Sequence, residues 1–255
     1  MCVKMNHFWH IGRERGRAEW AGGYRDAVVQ RHLEATQAEI PPRGLAIERM
    51  SPALDHLSLK FAIHMRSSRL DGLDVGCGEG IATIAALARG GHVMAVDRDP
   101  AVLHRLLARV PSEQYRRLKV REASLPQLDF KFAHFSAVHA SRVLHFLPPD
   151  ALRSTLRKFF RWLYPEGKLF VSVLNPRGTF WRGMRAGYSR RTMFGESWPG
   201  YIEWTGTQSA VHLLDENILE REMHVAGFAV EELSSYSLPW DAQQLCTSVI
   251  ARCGS

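Results

Sequence analysis

From Leu70 onward the chain alternates short apolar runs with longer stretches whose apolar residues recur every three or four positions. The runs 70–75, 92–97, 117–122, 134–140 and 168–174 are β-rich, and they read as strands. Between them, 81–89, 101–110 and 150–163 read as helices, the last carrying Leu152, Leu156, Phe159, Phe160 and Leu163 near helical spacing. Asp99-Pro100 has the form of an N-cap followed by proline at the first helical position, and Pro148-Pro149-Asp150 does a similar job. Strands alternating with helices predict a doubly wound α/β fold, a mostly parallel sheet with helices on both faces.

After Leu174 the rhythm breaks. Residues 175–211 are rich in Gly, Arg and aromatics, and Pro176 and Pro199 forbid a long helix there. Order returns at Leu213: Asp215 can cap a helix through Ala226, Gly227 ends it, and 228–236 and 247–253 read as two more strands. Too few residues separate those two for a helical crossover, so they must pair antiparallel. Residues 1–68 carry helical spacing over 17–33 and 54–65. The expected organisation is an N-terminal helical cap, 1–68, and a core domain, 69–255, with 175–211 as an insert or lid.

Composition bounds the partners. A chain of 255 residues with 45% apolar content can bury a full core. No run of eighteen apolar residues occurs, which excludes an apolar helical span, and the mixed N-terminus does not read as a secretory signal. Cys2, Cys77, Cys246 and Cys253 fit neither a C-x-x-C nor a zinc-finger spacing, so the expectation is a reduced, cytoplasmic protein without structural metal. The net charge of +7 is partly local: Arg177, Arg182, Arg185, Arg190 and Arg191 fall in one segment without an acid. Such a balance suits an acidic small substrate, nucleic acid or an anionic surface.

The chemistry concentrates at Leu70-Asp-Gly-Leu-Asp-Val-Gly-Cys-Gly-Glu-Gly80, where an apolar strand runs into glycines at 76, 78 and 80. Glycine permits positive φ and lets a ligand approach where a Cβ would collide. Asp97 ends the next apolar run nineteen residues after Gly78. A carboxylate there can accept ribose hydroxyls. The spacing is G-x-G-x-G, without the wider gap that suits a pyrophosphate and a dinucleotide oxidoreductase. This stretch resembles motif I of the class I methyltransferases, which bind S-adenosylmethionine. The resemblance implies that the sheet has seven strands with the last one reversed, and that Asp74, Gly76, Cys77, Gly78 and Gly80 face the methionyl part of the cofactor while Asp97 faces its ribose. It further implies Glu122 and Ala123 at the adenine, Arg98 as a lid over it, and Ser141 beside the cofactor after the fourth strand.

Two features bear on the acceptor. His145, in Val143-Leu144-His145-Phe146, stands where small-molecule O-methyltransferases place a general base. A phenol or alcohol of pKa ~10 or above must lose its proton, which an imidazole of pKa ~6.5 can take; packing is the other reading. The arginine-aromatic insert could wall an acceptor pocket with Trp181, Tyr188, Trp198 and Tyr201 while Arg190 and Arg191 hold an anionic group. The expectation is therefore a methyltransferase acting on the hydroxyl or carboxylate of a small metabolite. The alternative, an RNA or protein methyltransferase using the basic surface, stays open because aromatics interleaved with arginine also suit stacked bases.

Overall fold

The computed structural model describes residues 54–178, 212–238 and 241–254. Residues 1–53, and with them most of the expected cap, and nearly all of the insert lie outside the described residues. The elements are α1 (His56–Ser67), β1 (Gly72–Val75), α2 (Ile81–Ala88), β2 (Val93–Asp97), α3 (Pro100–Arg109), β3 (Leu118–Glu122), β4 (Phe135–Ser141), α4 (Pro149–Trp162), β5 (Leu163–Leu174), α5 (Glu216–Val225), β6 (Phe228–Leu238) and β7 (Asp241–Cys253). Short 3₁₀ turns occupy Ser112–Arg117 and Leu144–Phe146.

The strands form one seven-stranded sheet in the order β3-β2-β1-β4-β5-β7-β6. The first five pair in parallel, and β7 runs antiparallel to both β5 and β6. The doubly wound α/β fold with a reversed terminal strand is as expected.

The period of two along each strand decides what each face buries. Leu73, Val75, Met94, Val96, Val138, Ala140, Leu169 and Val171 face one cluster, which α4 and α5 complete with Leu152, Leu156, Phe159, Trp162, Leu219 and Met223. The opposite face carries Val93, Ala137, Phe170 and Ile250 against Leu57, Phe61, Ala62 and Met65 of α1 and Ala82 and Ala86 of α2. Leu106 of α3 joins Leu87 and Ala95 on this side. Asp74 and His139 share the parity of Gly72 and Ala137, and are paired in register on neighbouring strands. They therefore lie under α1 and α2, in the apolar layer.

Two boundaries differ from the sequence reading. Strand β5 begins at Leu163, well before Lys168, because Leu163 already pairs with Phe135, and the pairing then slips so that residues 164–167 bulge out before Lys168 meets Ala137. Glu166 there takes φ +66, the left-handed backbone that glycine supplies more cheaply, and its carboxylate accepts from Arg252. The terminal hairpin is also tighter, since pairing continues to Leu238 and Asp241. At the edge of the sheet, Glu231 accepts from Lys168 and Arg252, and Glu232 from Lys60.

Helix α5 ends at Gly227, φ +96, as its sequence implies. It carries Glu222, whose side chain is 1% exposed and accepts two bonds from Arg153 of α4, at 2.9 and 3.1 Å, and one from Arg221 at 3.1 Å. Burial pushes this carboxyl up, but the arginine hydrogen bonds and charges outweigh it and hold the group below its usual 4.5. A carboxyl lowered on folding stabilises the fold fully above that usual value, and the contribution is lost as pH falls through the lowered one. Arg153→Met should thus cost about 1–3 kcal/mol at pH 7, measured by urea denaturation. The gap from the parent should narrow as pH falls below 4.5 and Glu222 takes up its proton.

Candidate functional site

The turn joining β1 to α2 is built on three left-handed glycines, Gly76, Gly78 and Gly80, with φ of +63, +51 and +77. Their surroundings separate their roles. A Cβ at Gly76 would overlap the Val143 side chain and one at Gly80 would overlap Leu106, so these two positions are set by packing as well as by φ. A Cβ at Gly78 would meet no atom within 4 Å, so this residue turns its bare backbone outward. Cys77 N–H donates to Val96 O at 3.0 Å, which fixes the turn to β2. Gly80 caps α2 with no side-chain acceptor, so the first N–H groups of the helix are left for another partner. Such an end favours a carboxylate.

Asp97 closes the site from β2. One carboxylate oxygen accepts from Gly78 N–H at 2.9 Å and the other from Asp99 N–H at 3.0 Å. Burial raises its pKa, with the Asp99 and Gly78 N–H groups pulling the other way. Each oxygen keeps a lone pair for a further donor. Glu122 is exposed and stands opposite Asp97 in the β2–β3 register, so the two carboxylates end neighbouring strands side by side. Ala123 N–H donates to Asp97 O at 3.0 Å, which commits that amide to the sheet. Arg98 is exposed. The Cys77 thiol is pushed well up by burial and then by the charges of Asp74 and Asp97, so it is a protonated thiol and not a thiolate nucleophile.

Beneath the turn lies a polar layer that the motif alone did not reveal. Asp74 is 2% exposed, and both its oxygens are engaged: Thr83 of α2 donates to one at 2.6 Å and His139 Nδ1 lies 2.8 Å from the other. His139 Nε2 lies 3.2 Å from Ser58 Oγ on α1, and its ring stacks on Phe61 with centroids 4.9 Å apart. Farther along the strand ends, Ser141 Oγ bonds Ser172 Oγ at 2.9 Å and reaches Asp55 at 3.4 Å. Asp55 also caps α1 through Ser58 N–H and accepts from Tyr236 at 3.4 Å. Asp55, Ser58, Thr83, His139 and Tyr236 escaped the sequence reading. The available signal was a histidine inside an otherwise apolar strand, together with an aspartate three residues before a serine at a helix start.

His145 follows β4 in a 3₁₀ turn and is 0% exposed. Among the described residues neither ring nitrogen has a hydrogen-bond partner. Burial, followed by the charges of Arg142 and His212, pulls its pKa down to about 3. Its carbonyl accepts from His212 N–H at 2.7 Å, which ties the segment leading into α5 to this turn. Arg142 takes φ +58, outside the usual range for a side-chain-bearing residue, and its N–H donates to Ser172 O at 2.8 Å. Trp181, Tyr188, Arg190, Arg191, Trp198 and Tyr201 lie outside the described residues.

Comparison with known proteins agrees with this geometry. A sequence profile described as a methyltransferase domain matches residues 73–167, the stretch that holds the turn, Asp97, Glu122 and His145. A ubiquinone biosynthesis O-methyltransferase of Xanthomonas oryzae pv. oryzae is 34% identical over 155 residues, 58% of each chain. A carboxy-S-adenosyl-L-methionine synthase of Dichelobacter nodosus is 29% identical over 102 residues, 39% of this chain and 42% of that one. The matched stretch thus spans about half the length of these curated relatives. Among solved structures, 1,6-didemethyltoxoflavin-N1-methyltransferase of Burkholderia thailandensis, crystallised with 1,6-didemethyltoxoflavin and S-adenosylhomocysteine, superposes with a TM-score of 0.60 at 19% identity, over 91% of this chain and 90% of that one. A methyltransferase of Methanosarcina mazei gives 0.62 at 19% identity, over 75% and 96%. With the sheet order, the glycine turn and the profile match in agreement, residues 73–167 carry a methyltransferase domain, and the chain has the seven-stranded, Rossmann-like fold of these methyltransferase structures.

Proposed function

We propose that the protein transfers a methyl group from S-adenosylmethionine to an oxygen of a small metabolite. The reading rests chiefly on the outward backbone of Gly78 beside an Asp97 carboxylate already oriented by two N–H groups. The ribose hydroxyls fit the remaining lone pairs of Asp97, the methionyl carboxylate fits the uncapped end of α2, and Glu122 stands on the adenine side. Relatives named ubiquinone O-methyltransferases support a small acceptor and oxygen as the receiving atom.

The sulfonium methyl is already electrophilic. An oxygen lone pair forms the new C–O bond as the C–S bond breaks, its electrons stay on sulfur, and the acceptor gives up its proton. The protein must hold donor and acceptor in line and exclude water, a gain that can reach ~7 kcal/mol or more. In this reading His145, in the turn after β4, receives the hydroxyl proton. With its pKa near 3 it is neutral at physiological pH, yet too weak to ionise a phenol of pKa ~10 beforehand. The proton therefore moves late, once methyl transfer has made the oxygen strongly acidic; a carboxylate acceptor needs no base. In the insert, Trp181, Tyr188, Arg190, Arg191, Trp198 and Tyr201 are proposed to border the acceptor, on the strength of their sequence alone.

S-adenosylhomocysteine at ~100 times its dissociation constant should stabilise the fold by ~2.7 kcal/mol in thermal denaturation. Stabilisation by NAD instead would overturn the assignment. Asp97→Ala should weaken S-adenosylhomocysteine binding by ~1.5–3 kcal/mol, read by calorimetry.

His145→Ala should lower kcat by ~10² while leaving S-adenosylhomocysteine affinity nearly unchanged; full turnover would reduce the residue to packing. Its buried neutral state makes a second mark. A histidine lowered on folding from 6.5 to about 3 leaves the unfolded chain holding more protons between those values, so stability falls as pH drops through that window. Replacement by Phe should remove a slope of up to ~1.4 kcal/mol per pH unit from that window, as read by urea denaturation.

A further inference from the structure

We propose that His139 is a positioning residue that couples the docking of helix α1 to occupancy of the cofactor turn. The inference rests on the reading of that turn as the S-adenosylmethionine site, and it assigns to β4 a role that the glycine motif does not contain.

The geometry is a single polar chain crossing the apolar layer between sheet and helices. Asp74 lies at the end of β1, two residues before Gly76, and its second oxygen holds Thr83 in the first turn of α2 at 2.6 Å. Its rotamer therefore sets how the start of α2 meets the glycine turn. A buried carboxylate only accepts, so the His139 nitrogen 2.8 Å away, Nδ1, carries the hydrogen. With the hydrogen on Nδ1, Nε2 can accept, and the Ser58 hydroxyl 3.2 Å away is the donor that faces it. Polarity thus runs one way, from Ser58 on α1 through the ring to Asp74 under the turn. The members are 6%, 3% and 2% exposed, so water cannot replace a lost partner cheaply.

The ring is rigid and clamped. Phe61, also on α1, stacks on it at 23° between planes, so α1 holds His139 by a face contact and by a hydrogen bond. A shift of α1 must move the imidazole, and the imidazole cannot move without releasing Asp74. At its N-terminus the same helix is tied to the ends of β4 and β6 through Asp55, which reaches Ser141, expected beside the cofactor, and Tyr236. Coupling of this kind is reciprocal: if a docked α1 favours the turn that binds cofactor, cofactor must favour the docked α1 by the same factor.

Asparagine and glutamine at 139 separate the two ends of the ring. The Asn amide occupies the Nδ1 position and can serve Asp74 but not Ser58, whereas the Gln amide reaches the Nε2 position and can serve Ser58 but not Asp74. S-adenosylhomocysteine is the probe, its affinity read by calorimetry and the protection of the α1 amides by hydrogen exchange with and without it. In the parent protein, ligand should raise protection across α1. His139→Gln should lose about tenfold or more in affinity. His139→Asn should bind within about threefold of the parent while losing the ligand-linked protection, and Ser58→Ala, which deletes only a hydroxyl, should do the same. Unchanged affinity in His139→Gln, or full ligand-linked protection in both His139→Asn and Ser58→Ala, would overturn the proposal. Ligand binding to the parent without any change in α1 would sink the coupling and leave the cofactor assignment standing. No binding to the parent at all would sink both.

Discussion

A carboxylate placed under the glycine turn constrains everything around it. Asp74 is shut away from water, and an ionised group there is tolerated only when each oxygen finds a donor. One donor must come from the helix that follows the turn, which requires Thr83 on the inner side of α2. The other comes from the neighbouring strand, which requires the register that sets His139 beside Asp74. His139 then needs its own partner, and α1 supplies Ser58. The chain of obligations fixes a helix, a strand register and the packing of a second helix, all from one acidic side chain.

The site divides into two halves of different physical character. On the cofactor side the partners are backbone groups on rigid elements: glycine amides, a strand-end carboxylate and an uncapped helix. After β4 stands a buried imidazole, His145, with no hydrogen-bond partner among the described residues, beside a left-handed arginine. An unpaired buried imidazole is costly by itself, and under the proposed function an acceptor that bonded it would offset that cost.

What the sequence discloses follows from the range of each interaction. Short-range signals carried through: three glycines at alternate positions, a proline after the cap at Asp99, the stop at Gly227 and the antiparallel end of the sheet. The start of β5 did not, because its first pairing, Leu163 with Phe135, is a tertiary event on a segment whose Pro-Glu-Gly reads locally as a turn. The Asp74–His139 contact was hidden for the same reason. It depends on which residues of two strands sixty-five positions apart fall side by side, and no local periodicity encodes a register. Asp55 reaches a strand more than a hundred and eighty residues away, which again only the assembled sheet reveals.

The strand order leaves β6 at the rim, and its eleven residues offer a row of backbone groups to any other chain in extended form. That is the ordinary route to unwanted strand addition and to fibrils. The rim here carries successive glutamates, Glu231 and Glu232, tied to Lys168, Arg252 and Lys60, and the pairing register slips between Val230 and Glu232. An incoming strand would have to desolvate those ion pairs and match an irregular edge. The same charges that hold α1 and β5 to the sheet border therefore also guard the fold against templating its own aggregation.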